Sequence, residues 1–178
     1  MVLKPQDVYV ALKIVAAQSD RAPYSQLAAE LVMSPSEVHA SVQRAQGCRL
    51  LHGPQRKNRP NFSGLEEFLL HGLKYVFPAD RGELTRGIPT SYAAKPLRDL
   101  IAPGNDLGPV WPYEEGTQRG VGFEPLYRTA PIAPLRDSVF YEYLALADAL
   151  RDGRPRERSV AETELCHRLR ECSERLKS

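Results

Sequence analysis

A chain of 178 residues, 42% hydrophobic and 26% charged, suits one soluble domain with an extension or two small subdomains and can bury a real core. Its net charge of +2 says little as a total, but residues 1–62 hold eight basic and four acidic side chains, a net of +4, and the remainder a net of −2. The opening stretch MVLKPQDVYVALKIV has no apolar run long enough for a signal peptide or a membrane span, which points to a cytoplasmic protein.

Pro5 to Ala17 reads as a helix with Val8, Leu12 and Val15 on one face. Residues 24–51 follow as two short helices punctuated by Val32-Met33-Ser34. Ser25 is placed to cap the first, and Ser34 the second, with Pro35 at a first helical position where its missing N–H costs nothing. Leu27, Ala28 and Leu31 share one face, and Val38 and Val42 lie one turn apart on the facing one. What remains outward on the second helix is Ser36, Glu37, His39, Ala40, Gln43 and Arg44. That set is small near the start and polar along its length, as a helix entering a major groove should be.

On these residues, 5–52 resemble the winged helix-turn-helix of MarR-type and related bacterial transcription regulators, whose motif is matched by Leu27-Ala28, by Met33-Ser34-Pro35-Ser36-Glu37-Val38 and by Gly47-Cys48-Arg49-Leu50-Leu51. The resemblance covers the first third of the chain and implies a DNA-binding domain over residues 1–62. Ser25, Gln26, Ser34, Ser36, His39, Ala40, Gln43 and Arg44 are its candidate contacts. In winged relatives the Gly-x-Leu leads into a strand, a basic tip and a second strand. Here residues 52–60 run directly into a helical segment, so the wing is expected to be short or missing, with Arg56, Lys57 and Arg59 left as a basic loop for phosphates.

Asn61 or Ser63 can cap a connecting helix over residues 63–77, whose stripe of Leu65, Phe68, Leu69, Leu73 and Val76 needs a partner, either the first helix or its own copy in a dimer. Residues 78–135 are rich in proline and glycine, which excludes long helices. The same stretch holds Trp111, Tyr92, Tyr113, Phe123 and Tyr127, more aromatic residues than a disordered linker carries. It reads as ordered and irregular, with residues 110–113 and 120–123 as arms of a β-hairpin. In the 79–90 loop, Arg81, Gly82, Arg86 and Gly87 suit phosphates or a partner carboxylate, or simply loop carbonyls.

Residues 136–178 turn helical again. Val139, Phe140, Tyr143, Leu144, Leu146 and Leu150 form a broad apolar face, and residues 151–158 read as a charged tip in water or a second phosphate contact. A last helix from Ser159 carries Leu165, Leu169, Cys172 and Leu176 in the four-three-four rhythm of a packing seam, the candidate dimer interface. Cys48, Cys166 and Cys172 contain no Cys-x-x-Cys pair. On one helix Cys166 and Cys172 would lie about 9 Å apart, beyond the ~7 Å a disulfide spans, so all three read as reduced.

No phosphate-binding glycine loop, nucleophile elbow or complete metal set is present, so no catalytic residue, metal or cofactor is expected. The expected fold is mainly α: a helix-turn-helix, an irregular segment with a β-hairpin, and C-terminal helices. The expected function is a homodimeric regulator that binds double-stranded DNA and acts by occupying an operator. The alternative is an antitoxin or other neutralising protein that wraps a cognate protein partner with residues 78–135. Burial or exposure of Trp111, Tyr113 and Phe123 discriminates between the two.

Overall fold

The computed structural model describes residues 2–18, 23–53, 58–102 and 104–177. It is mainly helical, with one small sheet. Helix α1 (Pro5–Ala17) starts at a proline, and Asp7 reaches back to accept the Lys4 backbone N–H at 2.8 Å. Val8, Tyr9, Val10, Ala11 and Leu12 are all fully buried. Apolar residues all round a helix mean burial on every side, and α1 lies between α3 (Pro35–Gly47) on one flank and α7 (Ser138–Asp152) on the other.

Helix α2 (Tyr24–Leu31) begins after Pro23, without a side-chain cap. Ser25 therefore lies exposed inside its first turn instead of capping it. The turn into α3 places Val32 at φ 53°, a costly conformation for a β-branched residue. Its N–H bonds back to Ala28 and Ala29, and Met33 is buried beneath it. Ser34 caps α3 as expected, accepting from the Glu37 N–H while the Glu37 carboxylate accepts from the Ser34 N–H at 2.9 Å.

Among the described residues of the 51–60 stretch, Leu51 and Pro60 form one antiparallel bridge, reinforced by the His52 N–H to the Arg59 carbonyl at 2.8 Å. Asn61 then caps α4 (Phe62–Glu67), which continues through a π-turn (Phe68–Gly72) into α5 (Leu73–Val76). Leu65, Leu69 and Leu73 of its stripe are buried, whereas Val76 is exposed. The buried part of the stripe finds its partner within the protomer. The rod packs on α7 and on α8 (Pro155–Arg175).

Residues 78–135 hold β1 (Arg81–Pro89), the short α6 (Leu97–Leu100), β2 (Pro109–Pro112) and β3 (Gln118–Phe123). The expected hairpin between residues 110–113 and 120–123 is not formed. β2 and β3 run parallel, and each pairs antiparallel with β1 in a closed three-stranded arrangement. The stretch that read as an arginine-glycine loop is the strand both require. Gly87 is what lets it pass, since a Cβ there would stand 2.0 Å from the Trp111 carbonyl oxygen.

The sheet is tied to α7 by a buried polar knot. Asp148 accepts from the Thr90 hydroxyl and the Trp111 indole N–H, each at 2.7 Å, and from Arg151 at 2.8 Å. Arg151 also donates to the carbonyls of Phe77 and Glu124. Arg151 and Glu157 are thus core residues, and of the 151–158 stretch only residues 154–156 stand exposed as a charged tip would. Nor does the last helix wait for Ser159. It starts at Pro155, with Glu157 accepting the Arg154 N–H.

The expected dimer seam is used inside the protomer. Leu165 and Leu169 are 1% exposed and Cys172 2%, against α7 and α4, and the Cys172 thiol points at the Val15 carbonyl of α1. Leu176 is half-buried at the seam's end. The three cysteines are unpaired. No helix among the described residues is long and apolar enough to cross a membrane.

Candidate nucleic-acid interface

The surface in question is the outer side of α3. Its inner side is fixed by Val38, Ser41, Val42 and Ala45, all buried. Ser36, His39 and Gln43 are exposed and Ala40 is half-exposed, so these four stand together on one face as anticipated. Ser34 is exposed at the helix start with its hydroxyl 3.1 Å from that of Ser36. Ser25 and Gln26 are exposed on the first turn of α2, where the Gln26 amide donates to Glu30 at 2.9 Å.

Arg44 departs from this group. Its guanidinium grips Asp7 of α1 through Nε at 2.9 Å and Nη2 at 2.7 Å, and Nη2 also donates to Ser41 at 3.2 Å. Asp7 is fully buried and the Arg44 side chain 15% exposed. The side chain expected to point outward at a base is a clasp that holds α3 on α1. Removing one partner of such a pair strands the other charge. Arg44→Ala is expected to cost about 3 kcal/mol of stability, read from urea unfolding. A loss under 1 kcal/mol would refute the clasp.

The N-terminal end of α3 is held by a segment that sequence spacing could not bring there. The Tyr127 hydroxyl donates to Glu37 at 3.0 Å, and the Arg128 guanidinium lies 4.0 Å from the same carboxylate and 5.8 Å over the Tyr127 ring. The Ser34 backbone N–H, then the Ser34 and Tyr127 hydroxyls, hold the Glu37 carboxyl below its usual range. Glu37 is therefore anionic beside the exposed face. Arg128, whose side chain is 76% exposed, supplies the positive charge there.

At the other end, the Gln46 amide donates to Asn58 at 2.6 Å, and the Asn58 amide donates to the Tyr24 hydroxyl at 2.9 Å. The Tyr24 ring meets His39 edge-on at 5.4 Å between centroids. This chain fixes one leg of the 51–60 loop against α2 and α3, with Asn58 in the left-handed conformation at φ 58°. Asparagine tolerates that conformation better than most residues. Arg56 and Lys57 lie outside the described residues. Arg59 donates to the Leu176 carbonyl at the end of α8 at 3.5 Å.

Chemically, the face offers a hydroxyl, an imidazole and a carboxamide for hydrogen bonding to base edges, and a methyl group for apolar contact with thymine. Among the described residues no three histidine, cysteine or acidic side chains gather as they would for a metal ion. No family model, no curated protein and no solved structure matches the chain.

Proposed function

We propose that the chain is a helix-turn-helix transcription regulator that reads duplex DNA with the outer face of α3 and acts by occupying an operator. One observation carries this. A helix pinned on its inner side by apolar packing and by the Asp7–Arg44 clasp leaves Ser36, His39, Ala40 and Gln43 facing outward, with Arg128 beside its start. Such a helix is held rigidly enough to be read as a recognition element. Gln43 is the side chain suited to bidentate contact with adenine.

One recognition helix contacts only a few bases, so the proposal includes two copies bound with their helices about 34 Å apart. Their interface lies outside the Leu165–Leu176 seam. The rival reading, a neutralising protein that wraps its partner with residues 78–135, loses the aromatic part of its material, because Trp111 and Phe123 are buried in the protomer and Tyr113 is half-buried against its core.

Fluorescence anisotropy against a duplex spanning the promoter region of its own gene tests the reading. Gln43→Ala is expected to weaken binding by about 1–3 kcal/mol, or roughly 5- to 150-fold, with binding to random duplex unchanged. Equal affinity of wild type and variant for the promoter would remove α3 as the reader.

A further inference from the structure

Arg86 and Arg119 are register partners on β1 and β3. Directly opposed residues of an antiparallel pair project from the same face with Cβ atoms about 5 Å apart, and like charges placed so are destabilising. Both are exposed, and neither guanidinium finds a hydrogen bond or carboxylate among the described residues. Arg81 is matched with Asp152, Arg154 with Asp106, and Arg168 with Glu142 and Glu164; what sets Arg86 and Arg119 apart from the remaining surface arginines is that they face each other across a ladder.

The repulsion cannot relax by backbone movement, because the ladder beneath it is closely fitted. A Cβ on Gly116 would stand 2.4 Å from the Gly87 backbone, and one on Gly120 2.2 Å from the Gly108 carbonyl oxygen. The neighbouring strand is anchored through Trp111 to Asp148. Two arginine stems thus rise from neighbouring points of a rigid platform, and both line a concavity of about 580 Å³ together with Thr85, Thr117 and Gln118, all neutral hydrogen-bond donors. Glu114 and Glu115 line a second concavity that Thr85 and Arg86 share, and neither makes a salt bridge to Arg86.

We propose that Arg86 and Arg119 are a phosphate clamp, and that the phosphate is that of a nucleic-acid backbone. The choice of source rests on the DNA-binding reading above. A phosphate oxygen pair is matched by the planar donor fork of arginine, and an anion between the two forks cancels the repulsion between them. The clamp positions nucleic acid without reading sequence.

The test is the double variant Arg86→Ala with Arg119→Ala in the full chain, titrated by anisotropy against the promoter duplex and a random duplex over a salt series. Affinity for both duplexes is expected to fall alike, with the slope of log affinity against log salt reduced by about 0.9 for each phosphate that the variant no longer neutralises. The double Lys variant should keep most of that slope. The thermal midpoint of the Ala variant should not fall, since a repulsion has been removed. An unchanged slope in a folded variant overturns the clamp, and Gln43→Ala measured alongside shows whether α3 still reads the promoter. Inorganic phosphate and a nucleoside triphosphate are titrated separately by calorimetry. Loss of their binding with duplex binding intact overturns the nucleic-acid source. If wild type binds no duplex, the DNA reading and the proposed source fall together, and phosphate binding that is equal in wild type and Ala variant overturns the clamp as well.

Discussion

Replacing Leu165 and Leu169 together by aspartate is expected to unfold the protomer at room temperature. Both side chains are 1% exposed, against α7 and the α4 rod. Truncating a buried leucine costs roughly 2–5 kcal/mol, and each carboxylate adds the penalty of an unpaired buried charge. Two such sites exceed the total stability of a typical domain, about 5–15 kcal/mol. Circular dichroism should show the helical signal largely gone, while Leu169→Ala alone should stay folded with a lower urea midpoint. If sedimentation instead finds the double variant as a well-folded monomer derived from a wild-type dimer, the seam belongs to an interface between copies.

The second large effect is expected at Asp148. Asp148→Ala leaves Arg151 buried without its carboxylate and strips the acceptor from both Thr90 and the Trp111 N–H. Breaking one side of a buried pair costs about 3–5 kcal/mol. Trp111 is the sole tryptophan of the chain, so its fluorescence follows the same unfolding transition that the substitution shifts. Adding Arg151→Met to Asp148→Ala should recover part of the loss, because an apolar pair of similar volume is often tolerated where half an ion pair is not. A single-variant loss below about 1 kcal/mol would mean the knot is solvated in solution.

Local signals in the sequence carry over into the fold wherever a rule acts over one helical turn. Ser34, Pro35 and Glu37 start α3, Asn61 starts α4, and Val8, Leu12, Leu27, Val38 and Leu65 are all core residues. Periodicity also marks Leu165 and Leu169 as packing residues, but it cannot say whose surface they pack on, and a seam within the protomer has the same spacing as one between copies. Polar residues on a helix are by default assigned to solvent. The rule fails at Arg44 because Asp7 lies 37 residues earlier in the chain, and at Arg151 because its carbonyl partners come from Phe77, Pro78 and Glu124. Strand β1 is hidden by Gly82, Gly87 and Pro89, which punctuate a sequence as turns do. Arg128 joins the candidate interface only through its approach to Glu37, 91 positions away, for which no local pattern exists.

Helix α1 has a further consequence in the order of synthesis. It is the most completely buried helix of the protomer, yet much of its cover is α7, through the Tyr9–Phe140 ring contact and the link from Lys13 to Asp137. At translation rates of about 5–20 residues per second, the ribosome needs on the order of ten seconds to make the intervening chain. During that interval α3 can cover one flank of α1, but the apolar stripe that α7 covers, around Tyr9, has no permanent cover. Such a stripe is an aggregation hazard and a binding site for chaperones that hold apolar segments. The first helix to emerge is among the last to be sealed, and the α3 face it braces acquires its final rigidity only when the C-terminal helices close over it.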